Sequence, residues 1–256
     1  VRAFTEDDLY MRTETDLSEV KAVAEMLLMT DVHETPYSPM VVQHPFTSSG
    51  IVGVRADGEM KILDITENQE NLRLWQTQMR NMIDEADSAF QIYMLVNKPY
   101  ALTFLKFSEP YLSQEDLSKI LASAWTMSEN PNSDANLTKR RLVSMFRSAD
   151  PSVLMDEDER RTLADLDATV TVYRGVTTHN ANNVRALSWT LDYDTAKWFA
   201  SRFGESGTIY EAQVKREDIL ALFKGRNEAE VIIDPKDLRS IRQRETMEIG
   251  MKMKTI

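Results

Sequence analysis

Past Asp167 the spacing of apolar residues changes from a helical to a strand-like period, and any fold for this chain must accommodate that switch. From Ser113 to Leu166 the segments SQEDLSKILASAWTM, LTKRRLVSMFRSA and DEDERRTLADL read as amphipathic helices, with the polar loop SENPNSDAN after the first. Beyond Asp167, β-branched alternation predicts strands in TVTVYRG (169–175), VRALSWT (184–190), GTIYEAQV (207–214) and EAEVIID (228–234). One helix, DYDTAKWFASRF, is predicted between them behind an Asp192 N-cap. The chain is therefore expected to be α+β.

The region before Ser113 reads differently. LSEVKAVAEMLL (17–28) has helical spacing behind Asp16, and PMVVQ (39–43), GIVGV (50–54) and EMKILDI (59–65) read as short strands. Ala56-Asp57-Gly58 predicts a hairpin turn joining the last two. Thr66 with Gln69 forms a candidate capping box for a helix to about Ala86, and QIYMLV (91–96) and YALTFLKF (100–107) are expected as two further strands. These elements predict a compact N-terminal α/β domain over 1–111, with a soft boundary near 108–112.

A length of 256 residues favours two modest domains over one large core. The net charge of -11 argues against general affinity for phosphate backbones, because an acidic surface repels polyanions unless a local basic patch overrides the field. With no cysteine, disulfides, thiolate metal sites and a thiol nucleophile are excluded. His33, His44 and His179 lie too far apart for metal-ligand spacing, so no metal is expected. No export signal or apolar run of membrane-spanning length is visible, which gives a cytoplasmic location, in a producing or a target cell, as the expectation.

Three features carry chemistry, in a fixed order. Arg174 ends one β-run (VYRG), Ser188-Trp189-Thr190 ends the next, and Glu228 and Glu230 open a later one (NEAEVII). Each alone is commonplace: a strand-end Arg is usually a surface salt-bridge residue, a Ser-x-Thr a strand exit, and paired Glu are frequent where 28% of residues are charged. Together they resemble the Arg-Ser-Glu class of mono-ADP-ribosyltransferases. That family places a helix after the Ser-x-Ser/Thr strand, with an aromatic about eleven positions beyond the first Ser and an Arg three further on, positions held here by Phe199 and Arg202. LFKGRN (222–227) fits the family's mobile loop before the Glu-x-Glu strand.

The resemblance covers 112–256 and implies a core of two packed small β-sheets (167–256) with a helical lobe (112–166), preceded by the smaller N-terminal α/β domain. It implies NAD as substrate and no metal. Glu230 would bind the ribose 2′-hydroxyl, Ser188 would orient that carboxylate, and Gly175 amides would hold the nicotinamide carboxamide. Glu228, two residues earlier on the same strand and so expected on the same face, would serve the acceptor as base or orienting group.

The residue types suit that chemistry. A pyrophosphate calls for bidentate guanidinium donors, here Arg174 and Arg202, with Ser188 and Thr190 beside them. Phe199 offers an apolar face to nicotinamide, although a helix-core aromatic beside Trp198 is an equal reading. Cleavage of the glycosidic bond develops a ribosyl cation that a nearby carboxylate stabilises only in the transition state. Only 14 positions separate Arg174 from Ser188, a compact version of the fold.

A first-position Glu resembles family members that modify arginine, so a protein acceptor is favoured over a nucleic acid. Water as acceptor, which would make the chain a NAD glycohydrolase, and an inactive binding module on the same fold stay open beside it. Toxin, phage host modifier and defence effector look alike at this level. The N-terminal region carries no catalytic motif, leaving acceptor recognition, an inhibitor- or antitoxin-binding surface and a structural appendage open. His179 in THNANN reads as a turn residue, the fourteen Met residues as core filling, and KRRLVSMFR (139–147) as a solvated face rather than an RNA-binding strip.

Overall fold

The computed structural model describes residues 13–56, 58–129, 131–133, 136–180, 183–204 and 207–247. The chain is α+β and forms two compact units, Val1–Leu137 and Thr138–Ile256. The expected boundary near residue 111 thus lies inside the first unit.

In the first unit, α1 (Leu17–Leu28) starts behind Asp16, whose side chain accepts from the Glu19 amide, and buries Val20, Ala24, Leu27 and Leu28. Strands β1 (His33–Thr35), β2 (Ser38–His44) and β3 (Thr47–Ser49) form an antiparallel sheet in that order. β4 (Ile51–Ala56) and β5 (Glu59–Asp64) pair as a separate antiparallel ribbon. Asp57, at the centre of the predicted hairpin turn, lies outside the described residues. The next helix, α2 (Gln69–Glu85), is capped by Asn68 rather than by Thr66, because Thr66 turns its hydroxyl and amide back to Asp64.

The two strands expected over 91–96 and 100–107 are instead helices, α3 (Ala89–Leu95) and α4 (Ala101–Ser108). Ser88 caps α3. In α4, Ala101 through Leu105 are all buried, and a helical turn buried all round reads in sequence as a nearly continuous apolar run that periodicity cannot tell from a core strand. Helix α5 (Gln114–Met127), expected in the helical lobe, packs on α3 and α4 and buries Leu117, Ile120, Leu121, Ala124 and Trp125.

The second unit opens with α6 (Lys139–Ser148), α7 (Pro151–Leu154) and α8 (Glu157–Asp165), the last begun by a full capping box between Asp156 and Glu159. Strands follow: β6 (Thr169–Val176), β7 (Ser188–Thr190), β8 (Gly207–Lys215), β9 (Ile219–Phe223), β10 (Glu230–Ile233) and β11 (Arg239–Met247), with α9 (Tyr193–Ser201) between β7 and β8. Their order is β11-β8-β6-β7-β10-β9, and every pairing is antiparallel.

This single network differs from the expected pair of packed sheets, yet its halves are barely joined: β6 and β7 share only the pair Tyr173 and Thr190. Helix α9 covers one half, burying Ala196 and Ala200 against Ile209, with Tyr173 and Tyr193 packed alongside. Two glycines allow so close a crossing. A Cβ on Gly175 would stand 2.0 Å from the Ala196 carbonyl, and one on Gly207 would stand 1.9 Å from that of Ala200.

Candidate active site

Arg174 lies where β6 leaves β7. β6 continues to pair with β8 through Val176, so from Arg174 onward its other edge has no strand partner among the described residues. The guanidinium reaches β7 and donates from Nη1 to the Ser188 carbonyl at 2.6 Å. Although Arg174 keeps some surface exposure, its Nε is enclosed and makes no hydrogen bond within the protein. Burial lowers its pKa to about 10, against the pull of the Glu230 carboxylate, which favours the charged form. Arg174 is therefore a cation at neutral pH, with an enclosed N–H left to give.

Glu230 is the first residue of β10, directly across from Thr190, and is 7% exposed. Ser188 faces Ile232 two positions along the same ladder, so period-two alternation puts Ser188, Thr190 and Glu230 on one face of the β7–β10 pair. A carboxylate so enclosed is tolerated where a cation compensates it, and Arg174 is close enough to do so. Arg174, Ser188 and Glu230, separated by 14 and then 42 positions, are thus brought to one place.

Glu228 departs from expectation. The strand begins only at Glu230, Glu228 has helical backbone angles (φ -91°, ψ -12°), and Ala229 has φ 42°, so strand alternation does not extend to Glu228. The cause is a tight reversal out of β9, in which Arg226 and Asn227 also take positive φ (62° and 56°). The Glu228 carboxylate, partly exposed, pairs with Arg226 at 3.2 Å.

The loop expected over 222–227 is correspondingly shorter, since Leu222 and Phe223 belong to β9. It is also pinned. The Lys224 amide donates to Glu159 at 2.8 Å, Thr190 Oγ1 donates to the Glu228 carbonyl at 2.6 Å, and the Leu191 amide donates to the Ala229 carbonyl at 3.1 Å. The Thr190 hydroxyl also accepts from the Asp192 amide at 3.0 Å, so its bonding is spent on holding this turn.

Phe199 and Arg202 stand together at the end of α9. Phe199 meets Trp198 edge-on at 4.9 Å between ring centroids, and the Arg202 guanidinium lies 5.6 Å from each ring. Trp198 is 59% exposed, whereas Phe199 is half-buried beside Gly175, its Cβ 3.0 Å from where a Gly175 Cβ would sit. The close approach foreseen at Gly175 is thus made by the α9 backbone. His179 occupies a turn in which the Thr177 amide donates to Asn180 Oδ1 at 2.7 Å.

Lys139, the first residue of α6 and expected on a solvated face, is instead engaged within the unit. Its ammonium donates to the Asn183 side chain and, at 2.8 Å, to the Arg185 carbonyl. Burial lowers its pKa, and the Arg174 charge lowers it further. The one sequence signal was three basic residues, Lys139 to Arg141, in a first helical turn without an acidic residue, the reverse of the usual dipole preference. Elsewhere on α6, Arg147 is engaged structurally, pairing with Asp234 at 2.9 Å and Asp237 at 3.3 Å.

Among the described residues no group of three or more His, Cys, Asp or Glu could hold a metal ion, and no helix is long and apolar enough to cross a membrane. No protein-family model matches the chain, and neither does any curated protein or solved structure.

Proposed function

We propose that the second unit is an NAD-dependent mono-ADP-ribosyltransferase, built on an ADP-ribosyltransferase core, that releases nicotinamide and passes ADP-ribose to a macromolecular acceptor, a protein side chain such as arginine. One observation carries the reading: an enclosed guanidinium with an unspent N–H and an enclosed carboxylate meet beside Ser188, at the split between β6 and β7. Such a pair suits a substrate that brings negative phosphates and develops positive charge on its sugar.

In this mechanism Arg174 takes the pyrophosphate, Phe199 flanks the nicotinamide and Arg202 adds a second guanidinium. The bond from ribose C1′ to the nicotinamide nitrogen breaks, and nicotinamide leaves with the electron pair. Glu230 stabilises the ribosyl cation as it forms, the acceptor nucleophile bonds to C1′, and its proton passes to Glu228 or to water. The engagement of Glu228 by Arg226 favours a second reading, in which water is the acceptor and the product is free ADP-ribose.

Incubation of the whole chain and of Glu230→Gln with NAD labelled in its adenylate, in the presence of cell extract, tests both. Label on protein from the wild type and none from the variant is the expected result. Label released as free ADP-ribose selects the second reading, and equal NAD consumption by the variant removes Glu230 from the mechanism.

A further inference from the structure

Two cations from different elements grip one short segment of the second unit. Lys139, from α6, holds Asn183 and the Arg185 carbonyl, and Arg174, from β6, holds the Ser188 carbonyl. The two carbonyls belong to residues three apart, which even a fully extended chain separates by no more than about 10 Å. Loop anchoring alone does not call for charge at both points, since neutral donors would bind the carbonyls without setting two positive groups near each other in a partly enclosed place. The arrangement is accounted for if an anion joins them.

Resting on the transferase reading above, we infer that Lys139 is a phosphate-binding residue of this site, its ammonium and the unspent Nε of Arg174 together taking the pyrophosphate of the dinucleotide. Two of the three ammonium donors are committed to Asn183 and Arg185, which fixes the cation and leaves the third donor to a ligand. Glu230 offsets Arg174 on the ribose side, so the unmet positive charge lies on the side of Lys139. A diphosphate binds across such a pair, whereas an uncharged nucleoside gains nothing from it.

The test measures binding of ADP and of adenosine to the whole chain by calorimetry, for the wild type and for Lys139→Met, Lys139→Arg and Asn183→Ala. Lys139→Met should weaken ADP about tenfold, as expected for loss of one charge-assisted hydrogen bond, and leave adenosine unchanged. Lys139→Arg should retain most ADP affinity. Asn183→Ala, which loosens the anchor but keeps the charge, should weaken ADP less than twofold. With NAD as substrate, Lys139→Met should raise KM and leave kcat near that of the wild type.

Unchanged ADP affinity in Lys139→Met overturns the inference, as does a loss in Asn183→Ala as large as that in Lys139→Met, because the ammonium would then act only through the loop. Failure of a wild-type chain to bind ADP overturns it too. Wild-type NAD cleavage with normal ADP binding by Lys139→Met leaves the transferase reading standing alone. Charge-dependent ADP binding by a chain that never consumes NAD leaves the anion site and removes the transferase.

Discussion

The two units bury polar groups in different ways. Among the described residues the first unit buries one carboxylate, Glu109, within a core otherwise made of apolar side chains, small hydroxyls and His44, whereas the second buries Glu159, Glu211, Glu230 and Asp234. Three of those four have plain structural partners. Glu159 closes a capping box and receives the Lys224 amide, Glu211 pairs with Arg242, and Asp234 pairs with Arg147 and Lys236. Those arginines, Arg147 and Arg242, keep 48% and 65% of their side-chain surface in solvent, so water screens the pair. At Glu230 the compensating cation is Arg174, whose Nε is enclosed, and burying so much of a charged pair is costly in a protein that has no use for it.

Exchanging acid for amide separates the two kinds of carboxylate. Glu230→Gln should lower NAD turnover about a thousandfold, the scale of losing one preorganised electrostatic group, while the variant still unfolds cooperatively. Asp234→Asn should do the reverse, costing about 2 kcal/mol in denaturant unfolding and leaving turnover per folded molecule within about twofold. If both merely destabilise, the distinction between site and scaffold carboxylates is lost.

A glycine pair tests the packing side of the same contrast. Gly175→Ala drives a methyl group into the Ala196 carbonyl and to 2.6 Å from the Ala200 amide, helix backbone that cannot yield, and should cost about 3 kcal/mol. In the first unit a Cβ on Gly53 meets only the Met60 sulfur at 3.3 Å, the end of a flexible side chain. Gly53→Ala should therefore change stability by less than about 1 kcal/mol. Equal effects in thermal melts would mean that α9 does not bear on β6 through Gly175.

What could be read in advance divides along similar lines. The caps at Asp16 and Asp192 announced α1 and α9, and the period of the apolar residues announced α5, α6, α8, β6 and β8, because both are local signals; that Ser113, Thr138 and Asp156 also cap their helices is seen in the structure. Arg174, Ser188 and Glu230 were legible as a set because their order along the chain survives folding. Helix α4, whose first five residues are all buried, hid behind a nearly continuous apolar run. β9 and β11 were missed: the first is short and apolar, and the second is a run of charged and polar residues held by pairing with β8. Positive φ at Ala229, which removes Glu228 from the strand, has no residue signature, since neither Gly nor Asn stands there. Lys139 required tertiary structure, because its partners lie more than forty positions away.

Thr190 sharpens the contrast within the site itself. With its hydroxyl bonded both to the Glu228 carbonyl and to the Asp192 amide, Thr190→Val should cost about 1 to 2 kcal/mol and unfix the turn that carries Glu228. Its effect should therefore fall on transfer to the acceptor more than on nicotinamide release, measured by following the two products separately. An equal fall in both would put Thr190 in contact with NAD instead.

The smallest effect belongs to the first unit and to pH. His44 is wholly enclosed, lies edge-on to Trp75 at 5.0 Å, accepts the Phe46 amide at Nδ1 and reaches the Leu28 carbonyl from Nε2 at 3.3 Å, a pattern satisfied by the neutral ring with its proton on Nε2. Burial lowers its pKa, with the Leu28 carbonyl pulling weakly the other way. Unfolded, it titrates at about 6.5. As pH falls below that value the unfolded chain takes up a proton that the folded chain resists, so stability present above about pH 6.5 drains away until the folded pKa is reached. Amide exchange around α1 and β2 should accordingly quicken between about pH 7 and pH 5, after correction for intrinsic rates, while that of β6 and β8 stays level. His44→Gln should be less stable throughout but flat across this window. A wild-type profile equally flat would mean that His44 accommodates its second proton in the fold, and that this enclosed ring is as tolerant of charge as the buried carboxylates of the second unit.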